Sequence, residues 1–227
     1  MKKFSLGFLL IFLFATAQMS AQVSATTVKQ KINVGVDVFT DVWMNVPSGM
    51  TVRTLNPSAN VFATYNILVG AKKTGNTVFS IGLGIGSHVL SSKTNFIKDV
   101  KADTISFIPV PSGISMKKSK MTITSLEVPA VLNFKLKHGW HAGIGFKISM
   151  VINSKEAYTG TLSSDRITRQ VKNKGIYQLN STGYTPSIRF GYKSFDVFAA
   201  YQLISTFRTG HGPALHPISI GISITPF

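Results

Sequence analysis

Strict alternation of apolar and polar residues is the feature that most constrains how this chain can fold. From Trp140 to Ile152 every even position is apolar, and the odd positions are small or polar except for Val151. Tyr184–Tyr192 and Pro217–Thr225 repeat this pattern. Successive side chains point to opposite faces of a β-strand, whereas a helix would scatter the same residues around its circumference. The sequence therefore predicts an all-β protein whose strands each have one apolar face.

The alternation recurs in eight segments that are long for β-strands. The predicted strands are 30–40, 58–71, 76–89, 121–136, 139–152, 181–192, 194–205 and 217–225. A tilted strand crosses a bilayer in about 9–11 residues, whereas strands of soluble proteins most often have about 5–6 residues. The length of the segments favours strands that span a membrane.

The connections between these segments alternate in length, long after the odd-numbered strands and tight after the even-numbered ones. The long connections are 41–57, 90–120, 153–180 and 206–216, and the tight turns are 72–75, 137–138 and Lys193. This arrangement predicts an eight-stranded antiparallel up-and-down transmembrane β-barrel, with both chain ends on the short-turn side, in the periplasm. Ile105–Val110, inside the second long connection, leaves a count of ten strands open.

The N-terminal segment has the three parts of a secretory signal peptide. Met1–Lys3 is positively charged, Phe4–Ala17 is almost wholly apolar, and small residues follow. The apolar run is shorter than the roughly 20 residues of a membrane-spanning helix. We therefore predict a signal peptide over 1–21, cleaved after Ala17 or Ala21, and one outer-membrane β-barrel domain over 22–227.

The strand face opposite the apolar one indicates whether water or lipid surrounds the barrel. A soluble barrel of the lipocalin kind would turn its apolar face inward. The opposite face, however, is rich in glycine, which weakens a water-exposed strand, and it carries charges of both signs in mid-strand. A narrow lumen accommodates both features, so we predict that lipid contacts the apolar face. The lumen charges are predicted to form a structural polar network of Asp37, Glu127, Lys147, Arg189 and Asp196.

Hairpin register predicts which of these charges are neighbours. The tight turn between the fourth and fifth strands places Pro129 opposite Lys147, and Glu127 is then a diagonal neighbour of Lys147. Across the hairpin of the sixth and seventh strands, Arg189 is predicted to lie near Asp196.

One strand resembles a motif of a known family. Residues 126–136, Leu-Glu-Val-Pro-Ala-Val-Leu-Asn-Phe-Lys-Leu, are similar to a strand of the PorT-like outer-membrane β-barrel family of the Bacteroidota, and the Gly-rich third strand and terminal Phe227 also resemble this family. The resemblance implies an eight-stranded or slightly larger barrel with Glu127 and Pro129 on the lumen face. Some members are linked to protein secretion across the outer membrane. Phe227, which follows Pro226, is the candidate signal for membrane insertion.

Catalytic and cofactor chemistry finds little support in the sequence. The chain has no cysteine, and its five histidines lack metal-ligand spacing. Gly82–Gly86 lacks the helix that a dinucleotide fingerprint requires. An enzyme acting on lipids at the outer rim would draw on Asp41, His88, Ser91, Ser92 and His211. We predict no enzyme activity and no cofactor or metal, and keep the lipid-modifying enzyme as an alternative.

The chain is strongly basic, with a formal net charge of +16. Many of its cations fall in the long connections, where they would face anionic lipopolysaccharide, although a solvated surface without a specific partner is the simpler interpretation. Nucleic-acid binding is a poor alternative for an exported chain without a recognition module. The expected partners are membrane lipids and an envelope protein that contacts the connections 90–120 and 153–180.

These observations predict a monomer with a structural or interaction role, such as anchoring, adhesion, or accessory work in envelope assembly or secretion. An eight-stranded lumen is filled by side chains. Phe39, Phe62, Val131 and Phe198 also point inward by strand parity. We therefore expect no open pore, and a narrow-pore transport barrel is the remaining alternative.

Overall fold

The computed structural model describes residues 31–69, 76–110, 114–162 and 168–225, which are almost entirely β-structure. The strands are β1 (Ile32–Met44), β2 (Pro57–Val69), β3 (Thr77–Ser92), β4 (Asn95–Ile97), β5 (Phe107–Pro109), β6 (Ile114–Lys135), β7 (Trp140–Leu162), β8 (Thr168–Lys174), β9 (Thr182–Tyr192), β10 (Phe195–Tyr201) and β11 (His216–Ile224). Within the same ranges, no helix is long and apolar enough to span a bilayer.

Eight of these strands close into an antiparallel barrel. The order around the ring is β1, β2, β3, β6, β7, β9, β10 and β11, and β11 pairs with β1 to complete it. Each barrel strand pairs with the next barrel strand along the chain, so the ring has no free edge. The predicted eight-stranded up-and-down barrel is confirmed.

The three remaining strands lie beyond the barrel wall. β4 and β5 pair only with each other in a separate two-stranded sheet, and β8 pairs with the far part of β7, from Lys155 to Thr161. A barrel of ten strands is therefore wrong, although Phe107–Pro109 does form part of a small hairpin.

β6 begins at Ile114, before its predicted start at 121, and β7 ends at Leu162, beyond its predicted end at 152. A β-bulge explains the difference in β7. Thr124 pairs with Asn153 and Ser125 with Val151, so Ile152 has no partner. One extra residue reverses the facing of every later position in β7. The alternation that predicts the strand stops at this bulge, while the pairing continues to Leu162.

β10 ends at Tyr201, four residues before the predicted end at 205. Tyr201 pairs with Ile218, and the next residue, Gln202, faces Pro217. Pro217 has no N–H to donate, so the ladder cannot continue. The ring nitrogen Nδ1 of His216 lies 3.1 Å from the carbonyl oxygen of Gln202 in its place.

The two ends of the barrel differ. Short connections and both described chain ends meet at one end, which we call the turn end: Lys31, Leu136–Gly139, Lys193–Ser194 and Thr225. The described parts of the longer connections, 45–56, 93–110, 168–181 and 202–215, meet at the other, which we call the loop end.

The outer wall of the barrel is an apolar belt. Outward positions on every barrel strand hold large apolar side chains that are between 36% and 64% exposed: Val38, Val61, Leu83, Ile85, Val128, Ile144, Ile148, Ile188, Val197, Ile220 and Ile222. An apolar surface that encircles a molecule is far larger than the patches that soluble monomers expose. It is the surface of a barrel that crosses a bilayer, which completes the predicted transmembrane fold.

The larger apolar core of the described residues lies at the loop end, and a small cluster of Phe39, Phe198 and Ala200 lies inside the barrel. Long connections and the strand extensions beside them fold over the rim, and we call this part of the molecule the loop cap. It buries twelve apolar side chains: Trp43, Met50, Leu90, Ile97, Val100, Ile105, Met121, Ile123, Ile176, Leu179, Phe207 and Leu215. The Ile105 N–H donates to the His211 carbonyl at 2.8 Å, and the Tyr177 N–H donates to the Val100 carbonyl at 2.7 Å. These bonds join three different connections into one lid.

Candidate functional site

All five charged residues of the predicted network lie on the lumen side of the barrel. Each alternates along its strand with the residues of the apolar belt, at odd positions for Asp37, Glu127, Lys147 and Arg189 and at an even position for Asp196. Strand parity fixes the side on which a side chain lies, so all five face the lumen. Their strands are β1, β6, β7, β9 and β10 for Asp37, Glu127, Lys147, Arg189 and Asp196 respectively.

Glu127 and Lys147 form an ion pair inside the barrel. Pro129 lies opposite Lys147 in the ladder, as predicted. The Lys147 ammonium donates to Glu127 Oε1 at 2.9 Å, and the Glu127 side chain is completely buried. A β-carbon on Gly86 would overlap the Glu127 carboxylate, so this position accepts only glycine without displacing the pair.

Asp41 and His88 join this pair into a layer that crosses the lumen. The Asp41 carboxylate accepts hydrogen bonds from Ser58 at 2.7 Å and from Ser219 at 2.6 Å. His88 Nδ1 lies 3.0 Å from Asp41, and His88 Nε2 lies 3.6 Å from Glu127. These side chains link β1, β2, β3, β6 and β11. We call Asp41, Ser58, His88, Glu127, Lys147 and Ser219 the polar layer.

Arg189 is a diagonal neighbour of Asp196 in the ladder, as predicted, but the described ion pairs of the two residues are with other partners. The Arg189 guanidinium instead lies 3.5 Å from Asp37 and donates to Ser223 at 3.2 Å. It also lies over the rings of Phe62 and Phe198, at 5.7 and 5.3 Å from their centroids. In a closed barrel a long side chain reaches across the lumen, so adjacency in one hairpin does not determine its partner.

Asp196 pairs with His141, a partner that the sequence does not indicate. His141 and Asp196 lie on β7 and β10, and Gly191 lies between them on β9, in register with both. His141 Nε2 approaches Asp196 Oδ1 to 2.6 Å over this glycine. A β-carbon on Gly191 would overlap both side chains. Gly191 is in register with both residues and leaves room for them to meet across its strand. With the correct register, this glycine is the sequence signal that would identify the pair.

Below the polar layer the lumen is hollow. A cavity of about 1140 Å³ extends from the level of Asp37 and Arg189 to the turn end, where Lys31, Lys135 and Lys193 line it. We call this cavity the vestibule. The predicted filling of the lumen by side chains is therefore wrong for this half of the barrel. Its wall includes Phe62, Val131 and Phe198, but small residues such as Ser187 leave the centre open.

Above the polar layer the lumen is closed. Asp41 and Glu127 are completely buried, and the loop cap covers them. The cavity near His88 and Trp43 has a volume of only about 30 Å³, about the volume that a single water molecule occupies in the liquid. The described residues thus form a cup that is open at the turn end.

One carboxylate belongs to the loop cap. Glu156 lies on β7 beyond the bulge, above the apolar belt, and accepts the Ile97 N–H at 2.6 Å and the Asn173 amide at 3.3 Å. Burial raises the pKa of the Glu156 carboxyl, and the two hydrogen bonds oppose this shift only in part. Glu156 therefore ties β4 to the extension of β7.

The residues considered for an enzyme do not assemble into a catalytic arrangement. Asp41 and His88 contact each other, but the other nitrogen of His88 faces Glu127 rather than a hydroxyl group. The Ser91 N–H donates to Asn56, and the Ser92 hydroxyl donates to Thr51. His211 contacts the Asp103 carbonyl at 2.6 Å, in the loop cap. The part of the chain that the structure describes holds no group of three metal-binding side chains.

Exposed cations surround the loop end. They include Lys93, Lys98, Lys101, Lys155, Lys172, Lys174 and Arg208. Lys155 lies directly opposite Lys174 across the β7–β8 ladder. The predicted signal peptide over 1–21, the predicted turn at 72–75 and the candidate insertion signal Phe227 lie outside the described residues.

Comparisons with known proteins give likenesses to solved structures of low sequence identity. No family model and no curated protein match the chain. Among solved structures, Ail, the attachment invasion locus protein of Yersinia pestis, in complex with the heparin analogue sucrose octasulfate, has 10% identity and a TM-score of 0.40, covering 86% of this chain and 96% of Ail. A mutant of Rh. blastica porin has 8% identity and a TM-score of 0.22, covering 86% of this chain and 99% of the porin. The closed strand register, from β1 round to β11, defines the fold without these likenesses.

Proposed function

We propose that this chain is an integral outer-membrane barrel, exported through a cleaved signal peptide, with a structural or interaction role in the cell envelope. The observation that carries the proposal is the apolar belt around a closed barrel. Closed barrels with lipid-facing belts are the β-structures that satisfy all backbone groups within a membrane. The turn end, with both ends of the described part of the chain, then lies in the periplasm, and the loop end faces outside.

The barrel is proposed to have no open pore. The polar layer and the loop cap lie in series across the lumen, and both are fully buried at their centres. Solutes of porin size cannot pass such a barrier without unfolding the cap. The narrow-pore alternative requires the cap to open.

We also propose that the chain is not an enzyme. Of the residues considered for catalysis, only Asp41 and His88 contact each other, and both are held within the polar layer below the loop cap. A nucleophile needs a base within hydrogen-bond reach, and neither Ser91 nor Ser92 lies there among the described contacts.

The proposed partners are anionic lipids at the loop end and an envelope protein. Exposed lysines such as Lys155, Lys172 and Lys174 lie just beyond the apolar belt, at the level where lipopolysaccharide phosphates would be located. The loop cap offers a surface for a protein partner. Connections held on a rigid barrel can vary in sequence without disturbing the fold, so they are free to carry binding residues. The closed ring has no free edge, which favours a monomer.

Membership of the PorT-like family of the Bacteroidota remains a proposal that rests on residues 126–136. Within that motif Glu127 lies in the polar layer, and Pro129 lines the vestibule next to it. Both therefore face the lumen, the side on which the resemblance places them.

Fractionation of cells that express the full chain tests the proposal. The protein should sediment with the outer membrane and migrate differently on a gel before and after boiling, because a folded barrel resists the detergent. In planar bilayers it should give no current steps of porin size. A chain that is soluble without detergent and keeps its strand content would contradict the proposal.

A further inference from the structure

The vestibule is an unusual feature for a barrel of this size. Eight strands enclose a lumen that side chains fill, or that holds one small ligand. Protein interiors otherwise contain few voids larger than a water molecule. The volume of about 1140 Å³ slightly exceeds the range of small-molecule pockets. Ser187 lines it and supplies little volume where a larger residue would have closed it.

The mouth of the vestibule is positively charged. Lys31, Lys135 and Lys193 line it, and none of them has an acidic partner among the described residues. Asp196 lies at the level of the mouth, because its partner His141 is in register with Lys135, and it is engaged with His141. The acidic residues deeper in the lumen, Asp37, Asp41 and Glu127, are engaged with Arg189, His88 and Lys147, and the acidic residues described at the loop end lie at the opposite pole. A blind cavity with low-dielectric walls and cations at its entrance concentrates anions.

The wall of the vestibule is rich in hydrogen-bonding groups. Hydroxyl and amide side chains line it between the mouth and the polar layer: Thr64, Ser80, Asn133, Thr185 and Ser187. At its closed end, Asp37 Oδ1, Asn60 Oδ1 and Arg189 Nε are buried without a hydrogen-bond partner. A native structure ordinarily satisfies such groups. The closed end therefore holds donors and acceptors that the protein itself leaves unused.

We propose that the vestibule binds a small anionic solute that carries hydroxyl or amide groups, and that the solute enters from the turn end. The lysines at the mouth select for negative charge, and the polar wall selects for the hydrogen-bonding body. Because the polar layer and the loop cap close the other end, the solute is held rather than transported. The periplasmic origin of the solute rests on the proposed function; the binding site itself does not.

Binding can be measured with the full mature chain in nanodiscs of neutral phosphatidylcholine, which carry no competing negative charge. The probe is pyranine, a hydroxylated trisulfonated pyrene, followed by fluorescence anisotropy. Saturable binding is expected below about 1 mM. Glucose 6-phosphate should displace the dye at a lower concentration than inorganic phosphate does, because only the former has a hydrogen-bonding body. Equal displacement by the two anions would overturn the proposed selectivity.

Three variants locate the site. Replacing Lys135 and Lys193 together by Gln should weaken dye binding by about fivefold or more, because the mouth loses two charges. Ser187→Phe, which fills the vestibule, should weaken it by about tenfold or more. The matched control replaces Lys172 and Lys174 by Gln, which removes the same charge at the loop end and should change binding by less than about twofold.

The proposal is overturned if the wild-type barrel shows no saturable binding up to about 5 mM, if the loop-end control loses as much affinity as the mouth variant, or if Ser187→Phe binds normally. A gel shift on boiling verifies the barrel in every sample. A chain that shows no such shift would contradict the proposed function, whereas an intact barrel without binding contradicts the vestibule site alone.

Discussion

At the scale of single residues, the stability of the lumen depends on pairing charges that water cannot reach. Glu127 is completely buried, and its ion pair with Lys147 is linked through His88 to Asp41. A buried charge that loses its partner still carries its desolvation penalty, and no Coulomb attraction offsets that penalty. The pair is therefore costly to break from one side and less costly to remove altogether.

Lys147→Met should lower the free energy of unfolding of the barrel by about 3–5 kcal/mol, since it leaves the Glu127 carboxylate unpaired. Adding Glu127→Gln to Lys147→Met should recover part of this loss. Urea unfolding in lipid vesicles, followed by tryptophan fluorescence, measures both effects. Lys174→Met, at an exposed position, is the control and should change stability by less than about 0.5 kcal/mol. Equal losses in the single and double variants would show that the charge pair is not the cause.

Glu156 gives the loop cap a dependence on pH. Its pKa is raised above the usual 4.5 by burial. The folded cap therefore keeps a proton at pH values where the unfolded chain has already lost it. Cap stability should be highest below pH 4.5, fall as the pH rises through the raised pKa, and then stay constant.

Hydrogen exchange of the amides in β4 and β5, measured from pH 4 to pH 8 and corrected for intrinsic exchange, tests this dependence. Wild-type protection should decrease with rising pH. Glu156→Gln, which keeps an acceptor for the Ile97 N–H, should show constant protection. The same slope in both proteins would assign the pH dependence to another group.

At the scale of elements, each barrel strand has a lipid face and a lumen face. Ile144 is 58% exposed on the outer wall of β7, whereas Ser149 lies on the lumen side of the same strand. A charged side chain at the centre of a lipid face loses its hydration, which is costly. A small polar side chain added in the lumen instead contacts polar neighbours. The two positions therefore respond differently to substitution.

Ile144→Lys should block insertion or lower the stability of the barrel by about 2–4 kcal/mol, the cost of a lysine at the bilayer midplane. Ser149→Thr should insert normally. The measurement is the fraction of each variant that resists boiling-dependent unfolding on a gel of outer membranes. Equal amounts of folded protein from the two variants would contradict the assignment of the strand faces.

The sequence predicts the elements well where a single rule acts along the strand. Alternation identifies all eight barrel strands, and hairpin register places Pro129 opposite Lys147. The prediction of strand ends fails where the alternation of facing is shifted by one residue, as at the bulge of Ile152. It also fails where Pro217, on the neighbouring strand, ends the ladder of β10. Both signals are visible only once the neighbouring strand is known.

At the scale of the whole molecule, the interior is divided into two halves that periodicity cannot reveal. The loop cap depends on contacts between distant connections, such as the bridge between Leu179 and Phe207, and these segments have no regular pattern. The vestibule depends on which interior side chains reach across the lumen. Arg189 pairs with Asp37 on a strand outside its own hairpin, so the register of that hairpin does not identify its ion-pair partner.

The central claim is that the chain crosses a membrane as a cup closed towards the outside and open towards the periplasm. Because the chain has no cysteine, one cysteine at a time can be introduced and labelled with a membrane-impermeant maleimide in intact cells. Lys101→Cys, exposed in the loop cap, should be labelled at once. Ser187→Cys, in the vestibule, should react only after the outer membrane is permeabilised. Labelling of Ser187→Cys in intact cells at the rate of Lys101→Cys would contradict the account.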